Sequence, residues 1–189
     1  EDIRDLEPLR DIQTLGLLLD MLKTRVGGMI VVSNIASDLH VAPATIAKWL
    51  ETLERMYLIF AIRPYTSNIP RAIQKPPKIY FYDNGDVDGD EGARFENLVA
   101  THLLKTIHFL NDRDGDRYEL QYLRDKEKHE VDFVISKNRK IEYLIEAKWS
   151  DGTASSSLRY FAERLRPKAA IQIVGTLEKG SRKNQMLIE

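Results

Sequence analysis

The stretch HEVDFVISKNRKIEYLIEAKWS, residues 129–150, most constrains how this chain folds, because it places charges inside two strand patterns. KNRK predicts a hairpin turn between the two strands. Alternate side chains of a strand share a face, so Glu146 and Lys148 point the same way. The other face is predicted to carry Ile141, Tyr143, Ile145 and Ala147. Asp132 lies about as far from the turn as Glu146, so the hairpin brings two carboxylates and an ammonium group together.

This charged cluster has two interpretations. Carboxylates that hold Mg2+ beside a lysine suit phosphodiester hydrolysis, because the metal activates water and phosphate while the lysine orients that water or stabilises charge. The alternative is an amphipathic edge strand whose Glu146 and Lys148 form a surface pair. An acid-x-Lys triplet arises by chance roughly once in a chain of this length. The context of the triplet therefore carries more information than the triplet itself.

A helix predicted from Ala93 to about Leu110 contributes one more acid. Glu96 lies in line with an apolar stripe made of Val99, Ala100, Leu103 and Ile107. Glu96 either lies in the first exposed turn, where its charge suits the helix dipole, or points into a site. The sequence leaves both possibilities open.

Residues 1–64 are predicted to form a winged helix. A helix over 8–23, two short helices separated by a tight turn, and a strand from Tyr57 follow in that order, with Pro43 suited to a first helical position. The second short helix has no net charge, since it carries Lys48, Glu51, Glu54 and Arg55. Such a helix binds phosphate poorly, so a packing or subunit-contact module competes with a DNA-reading one.

Residues 65–92 are predicted to be a connector, first basic and then acidic. Its prolines favour an extended chain. The acidic part, DNGDVDGDEG, has the early spacing of an EF-hand loop, but Phe95 stands where the loop requires glutamate. A solvated acidic turn is therefore favoured over a calcium site.

Residues 93–189 are predicted to form one unit of the α/β (α+β) class, a mixed sheet flanked by helices. After the hairpin, SLRYFAERLRP predicts a helix and AAIQIVGT a buried strand, which a right-handed crossover sets parallel to the IEAK strand. Arg159, Arg164 and Arg166 of that helix are candidates for contact with a DNA backbone, although exposed helix charges usually only solvate.

The composition limits the classes of function. A formal net charge of -1 excludes a strongly basic tail but not a local basic groove. The absence of cysteine excludes disulfides and thiolate sites, and no apolar run approaches the roughly 18 residues of a membrane span. We therefore expect a cytoplasmic protein. Because the sequence does not begin with Met, we also expect it to be part of a longer chain.

The order of the motifs resembles that of the PD-(D/E)xK restriction-endonuclease-like superfamily: a helix with Glu, then Asp, then Glu-x-Lys on a hairpin, then helix and strand. More narrowly, the chain resembles the domain of unknown function that follows an AAA-type ATPase module in many prokaryotic proteins. The segments that carry this resemblance are SNIASDLHVAPATIAKWLETLERMYLIFAI, KIYFYDNG, ARFENLVATHLL, HEVDFVIS and LIEAKWS. They occur in order over nearly the whole chain.

The resemblance implies a role for each site residue. Asp132, Glu146 and the carbonyl of Ala147 would bind Mg2+ or Mn2+, Lys148 would be the catalytic lysine, and Glu96 an auxiliary acid. The winged helix would join the nuclease-like domain to a preceding ATPase module, since this chain has no G-x-x-x-x-G-K-[ST] loop of its own. One departure is that the family usually has a helical segment after YDNG, where this chain has the short acidic loop.

Two functions of different classes follow. The first is a Mg2+-dependent nuclease domain that acts on DNA, favoured by the set of Asp132, Glu146 and Lys148. The second is an inactive nuclease-like module that contacts nucleic acid or protein beside the ATPase. The neutral winged helix and the overall charge favour the second, because a nuclease without a basic cleft binds its substrate weakly.

Overall fold

The computed structural model describes residues 6–66, 75–150, 152–153, 155–176, 181–183 and 186–188 of the chain. The α-helices within these residues are α1 (Leu6–Lys23), α2 (Val32–Asp38), α3 (Pro43–Arg55), α4 (Glu91–Asp114) and α5 (Ser156–Leu165). The strands are β1 (Ile59–Pro64), β2 (Lys78–Phe81), β3 (Tyr118–Arg124), β4 (Glu130–Lys137), β5 (Lys140–Lys148), β6 (Ala169–Val174), β7 (Ser181–Lys183) and β8 (Met186–Ile188). Within this part of the chain, no helix is both long and apolar enough to span a bilayer.

One mixed sheet contains all of these strands, in the order β2-β1-β3-β4-β5-β6-β8-β7. The pairs β1–β2, β3–β4, β4–β5 and β7–β8 are antiparallel, whereas β1–β3, β5–β6 and β6–β8 are parallel. The predicted α/β (α+β) class, with a mixed sheet flanked by helices, is confirmed. The predicted parallel crossover through α5 is confirmed as well, because β5 and β6 pair in parallel.

The β4–β5 hairpin closes through a two-residue turn. Lys137 pairs with Lys140, and Asn138 and Arg139 between them have φ angles of 50° and 66°, as a type I′ turn requires. The register shifts between Ile135 and Ser136, which interrupts the alternation of β5. Ile141 consequently packs on the opposite face from Tyr143, so its predicted place in that apolar row is wrong.

Helices cover both faces of the central strands. Ile145 packs in the cluster that contains Val99 of α4, while its neighbour Leu144 packs with Leu158 and Phe161 of α5. Adjacent residues of a strand point to opposite faces, so α4 and α5 lie on opposite sides of the sheet. The chain thus forms helix, sheet and helix layers around β4 and β5.

The N-terminal helices pack on the β1–β2 end of the same sheet. Their buried residues form one cluster with the hairpin: Leu18, Leu22, Ile35, Ile46, Leu50, Leu53, Ile59 and Ile79. β2 lies inside the predicted connector, whose residues 67–74 are outside the described part of the chain. β1 pairs with β3 at Arg63–Gln121 and Pro64–Tyr122, which joins the N-terminal hairpin to the C-terminal strands.

The acidic segment before α4 is a short turn followed by a helix cap. Asp83 accepts a hydrogen bond from the amide of Gly85 at 2.8 Å and begins a single 3₁₀ turn, Asn84–Asp86. Asp90 accepts one from the amide of Ala93, also at 2.8 Å, and so caps α4. These contacts are those of the solvated acidic turn favoured by the sequence, and they give two of its acids a local structural role.

Candidate functional site

The β4–β5 hairpin brings Asp132, Glu146 and Lys148 together. Phe133 pairs with Ile145, and Oδ2 of Asp132 accepts a hydrogen bond from the amide of Ala147 at 3.1 Å. Nζ of Lys148 lies 3.0 Å from Oε1 of Glu146. The contact between Glu146 and Lys148 therefore supports the shared face inferred from the sequence, and Asp132 is joined to them through the backbone of Ala147.

Glu146 carries a buried oxygen without a hydrogen bond. The residue is only 5% exposed, and its Oε2 finds no hydrogen-bond partner within the described part of the chain. Burial, and then the nearby charge of Asp132, raises the pKa of Glu146 to about 7. A buried carboxylate oxygen is costly to leave unpaired, so its position requires an explanation beyond packing.

Glu96 points into this site from the first turns of α4. Its Oε1 accepts a hydrogen bond from the Tyr80 hydroxyl at 2.7 Å. A Cβ placed on Gly27, whose φ is +71°, would lie 2.5 Å from the same oxygen. The sequence left open whether Glu96 lies in an exposed turn or points into a site. Its carboxylate packs against β2 and the loop before α2, so it points into the site. Burial and the charge of Asp132 raise the pKa of Glu96 to about 7.

Lys78 is a site residue that the sequence did not identify. It begins β2 and is 2% exposed. Its ammonium group lies 2.6 Å from Oε1 of Glu130, 3.5 Å from Oδ1 of Asp132 and 3.8 Å from Oε1 of Glu96. Burial lowers the pKa of Lys78, but the three carboxylates outweigh it and leave the pKa raised. The lysine therefore stays protonated in an almost fully buried position.

Tyr80 and Glu130 also belong to the site, and neither was singled out from the sequence. Burial, together with the charge of Glu96, raises the pKa of Tyr80 well above its ordinary value, so the hydroxyl remains a donor. Glu130 pairs with Lys78 through Oε1 and with Arg124 through Oε2, which lies 2.5 Å from the Arg124 Nη1. Burial raises the pKa of Glu130, but these cations outweigh it and hold the pKa below its usual range. In the sequence, the alternation of Lys78 and Tyr80 along KIYF indicates that these two side chains share one face of a strand.

Asp132 and Glu146 offer carboxylate oxygens, the kind of ligand that a hard divalent cation prefers. Within the described residues, no group of three or more acidic or histidine side chains is arranged to hold a metal ion. Mg2+ is commonly held through one or two carboxylates, with water and substrate phosphate completing its coordination. The unpaired Oε2 of Glu146 is an oxygen of the required kind. Ala147 has its amide engaged with Asp132, and the role of its carbonyl stays a prediction.

The predicted backbone-contacting arginines lie apart from this cluster. Arg159, Arg164 and Arg166 are exposed on or just after α5. The guanidinium of Arg164 stacks over the ring of Tyr160 at 3.5 Å, and that ring stacks on His129 at 4.1 Å. None of the ion pairs in the described part of the chain joins these arginines to the acids of the site. Their contact with nucleic acid stays a prediction.

Comparisons with known families divide the chain close to the start of α4. Residues 1–87 match one domain of unknown function, DUF8612, and residues 91–188 match another, DUF4143. Comparisons with curated proteins and with solved structures found no match. The predicted resemblance to a domain of unknown function is therefore confirmed at that level. Lys78 and Tyr80 fall in the first matched segment, whereas Glu96, Glu130, Asp132, Glu146 and Lys148 fall in the second.

Proposed function

The chain belongs to the DUF4143 family of domains of unknown function, and we propose that its acid–lysine cluster is the active site of a Mg2+-dependent nuclease acting on DNA. The observation that carries the proposal is the buried, unpartnered Oε2 of Glu146 beside Asp132 and Lys148. A divalent cation shared by Asp132 and Glu146 would give that oxygen a partner. Surface ion pairing, the competing interpretation of the motif, does not explain why Glu146 is buried.

The proposed chemistry assigns distinct roles to the side chains. When bound, the cation supplies Lewis-acid activation of the phosphoryl group and of the attacking water. Lys148 is held against Glu146 while its side chain stays 42% exposed, so its remaining N–H donors can face a water or a phosphate oxygen. Glu96, with its pKa raised to about 7, can hold or release a proton near neutral pH.

We also propose two finer fold assignments, a PD-(D/E)xK nuclease-like domain and a winged helix. The succession α4, β3, β4, β5, α5 and β6 follows the order of a PD-(D/E)xK nuclease-like domain, and the helices α2 and α3 with the β1–β2 hairpin follow the order of a winged helix. The resemblance found in the sequence supports both assignments. The resemblance also supports an ATPase module preceding this chain, and the absence of cysteine suits the proposed cytoplasmic location.

An inactive nuclease-like module is the second candidate, and Lys78 favours it. Its ammonium group contacts three of the acids, so much of the cluster is neutralised without any metal. On α3, Arg55 pairs with Glu51 at 2.6 Å, which reduces the positive charge that this helix can offer to phosphate. In this alternative the acids would serve the folded structure and the contacts with a partner.

Cleavage of labelled single- and double-stranded DNA in Mg2+ or Mn2+ tests the proposal. We expect Asp132→Asn and Lys148→Met each to lower cleavage by about 100-fold or more, because each removes a group that acts on the reacting phosphate. Asp116→Asn and Lys168→Met are matched controls, since Asp116 pairs with Lys137 and Lys168 with Glu142 outside the cluster. Equal cleavage by all five proteins would refute the nuclease and favour the inactive module.

A further inference from the structure

The position of Lys78 has a consequence for how many cations the site can bind. Its Nζ has an acid oxygen within 4 Å on each of three different residues, Glu96, Glu130 and Asp132. Without that ammonium group, three carboxylate oxygens would face one point, and such a set of oxygens attracts a divalent cation. In this chain that point is taken by a covalently attached ammonium group.

The backbone around Lys78 fixes the ammonium group in place. Lys78 pairs with Ile62 of β1 on one side and forms a bridge with Met29 on the other. The Tyr122 hydroxyl donates a hydrogen bond to the carbonyl of Pro76 at 2.7 Å, two residues before Lys78, and the Tyr122 ring lies 5.7 Å from Nζ. Lys78 is therefore held on a paired strand and not on a loop that could swing away.

The charges of the cluster show what the lysine contributes. The four acids Glu96, Glu130, Asp132 and Glu146 face three bases, Lys78, Lys148 and Arg124, through the ion pairs of the site. Lys148 contacts Glu146, and Arg124 contacts the outer oxygen of Glu130. Lys78 is thus the cation shared by three oxygens: Oε1 of Glu96, Oε1 of Glu130 and Oδ1 of Asp132.

We propose that Lys78 occupies one of two cation positions in the cluster, so that the site takes a single divalent cation, at Asp132 and Glu146. Lys78 acts as a positioning residue: it holds Asp132 in the orientation that leaves Glu146 to the metal. This inference rests on the proposed function, because it takes Asp132 and Glu146 as the ligand pair. The site then needs Lys78 from the segment that matches DUF8612, whereas its acids lie in the segment that matches DUF4143.

Counting bound Mn2+ tests this inference. The free-Mn2+ signal in electron paramagnetic resonance is titrated for the wild type, Lys78→Met, Lys78→Arg and the control Lys168→Met. We expect one Mn2+ per chain for the wild type, Lys78→Arg and Lys168→Met. For Lys78→Met we expect two, because an unbranched apolar side chain leaves three acid oxygens without their cation. The double variant Lys78→Met/Glu130→Gln is expected to return to one.

The outcomes separate this inference from the proposed function. One Mn2+ in both the wild type and Lys78→Met overturns the role of Lys78 and leaves the nuclease proposal standing. None in the wild type and one in Lys78→Met supports Lys78 as the cation of the cluster and counts against the pair of Asp132 and Glu146. No binding by either protein overturns both.

Folding of Lys78→Met provides a second measurement. Without Lys78, three partly buried carboxylates lose their common cation, although Arg124 remains beside Glu130, and the variant is destabilised. Mn2+ that binds only the folded chain restores stability by mass action. We expect circular dichroism to show a larger rise in melting temperature with Mn2+ for Lys78→Met than for the wild type. A variant that stays unfolded at saturating Mn2+, or gains no more than the wild type, would contradict the inference.

Discussion

Replacing Glu146 by glutamine should stabilise the protein at alkaline pH and leave its stability at acidic pH nearly unchanged. Burial and the charge of Asp132 raise the pKa of Glu146 to about 7, against an ordinary value of 4.5. Between pH 4.5 and about 7, Glu146 therefore keeps its proton in the folded chain but has lost it in the unfolded chain. Glutamine has the shape of the protonated carboxyl group and cannot ionise.

The sign and size of the effect follow from this difference. Below pH 4.5 the carboxyl group is protonated in both states, so Glu146 contributes its full stability there. As the pH rises through 7 that contribution is lost, because ionising the buried group opposes folding. A pKa difference from 4.5 to about 7 corresponds to about 3 kcal/mol in the free energy of unfolding. Glu146→Gln should therefore exceed the wild type by about 3 kcal/mol at pH 8.

Urea denaturation in metal-free buffer with EDTA, at pH 4.5, 6 and 8, measures this difference. Glu51→Gln, on the exposed surface of α3, is the control and should change the free energy of unfolding by less than about 0.5 kcal/mol at every pH. If wild type and Glu146→Gln lose stability in parallel from pH 4.5 to 8, the raised pKa of the buried Glu146 carboxyl group is refuted. A variant less stable than the wild type at pH 8 would refute it as well.

Two further substitutions test how the site is held in place. Gly27→Ala should destabilise the protein by more than the roughly 1 kcal/mol expected for Gly115→Ala in thermal denaturation. Both glycines have a φ near +70°, but only the new Cβ at Gly27 meets the Glu96 carboxylate, whereas that at Gly115 meets open space; equal losses would contradict the close approach. Asn97→Leu should lower the free energy of unfolding in urea by about 3 kcal/mol, because the buried Asn97 side chain bonds both the amide and the carbonyl of Phe81 on the edge strand. A loss below about 1 kcal/mol would show that Phe81 finds other partners.

Local patterns were enough to predict the hairpin that carries the motif. Strand alternation and the two-residue turn act over a few neighbouring residues, so the meeting of Glu146, Lys148 and Asp132 could be inferred from spacing. The exception was Ile141, which the register shift moves to the other face. A bulge depends on the pairing of two strands, and no single strand pattern records it.

Lys78 could not be placed from the sequence because its role depends on long-range pairing. KIYF is a strand of the site because β2 pairs with β1, and β1 pairs with β3. The alternation along KIYF indicates that Lys78 and Tyr80 share a face, but nothing local shows whether that face lines a site or meets solvent. Glu96 was undecided for a related reason, since the packing of α4 against β2 fixes which way its first turns face.

The most direct test of the central claim is the anomalous diffraction of Mn2+ in crystals of the wild-type chain. Asp132 and Glu146 should share one Mn2+, with Oε2 of Glu146 at about 2.1–2.2 Å from the metal, close to the Mg2+–oxygen distance. The ammonium group of Lys78 should remain among its three carboxylates. An anomalous peak at another position, or none at saturating Mn2+, would contradict the assignment of this acid–lysine cluster as a metal-dependent active site.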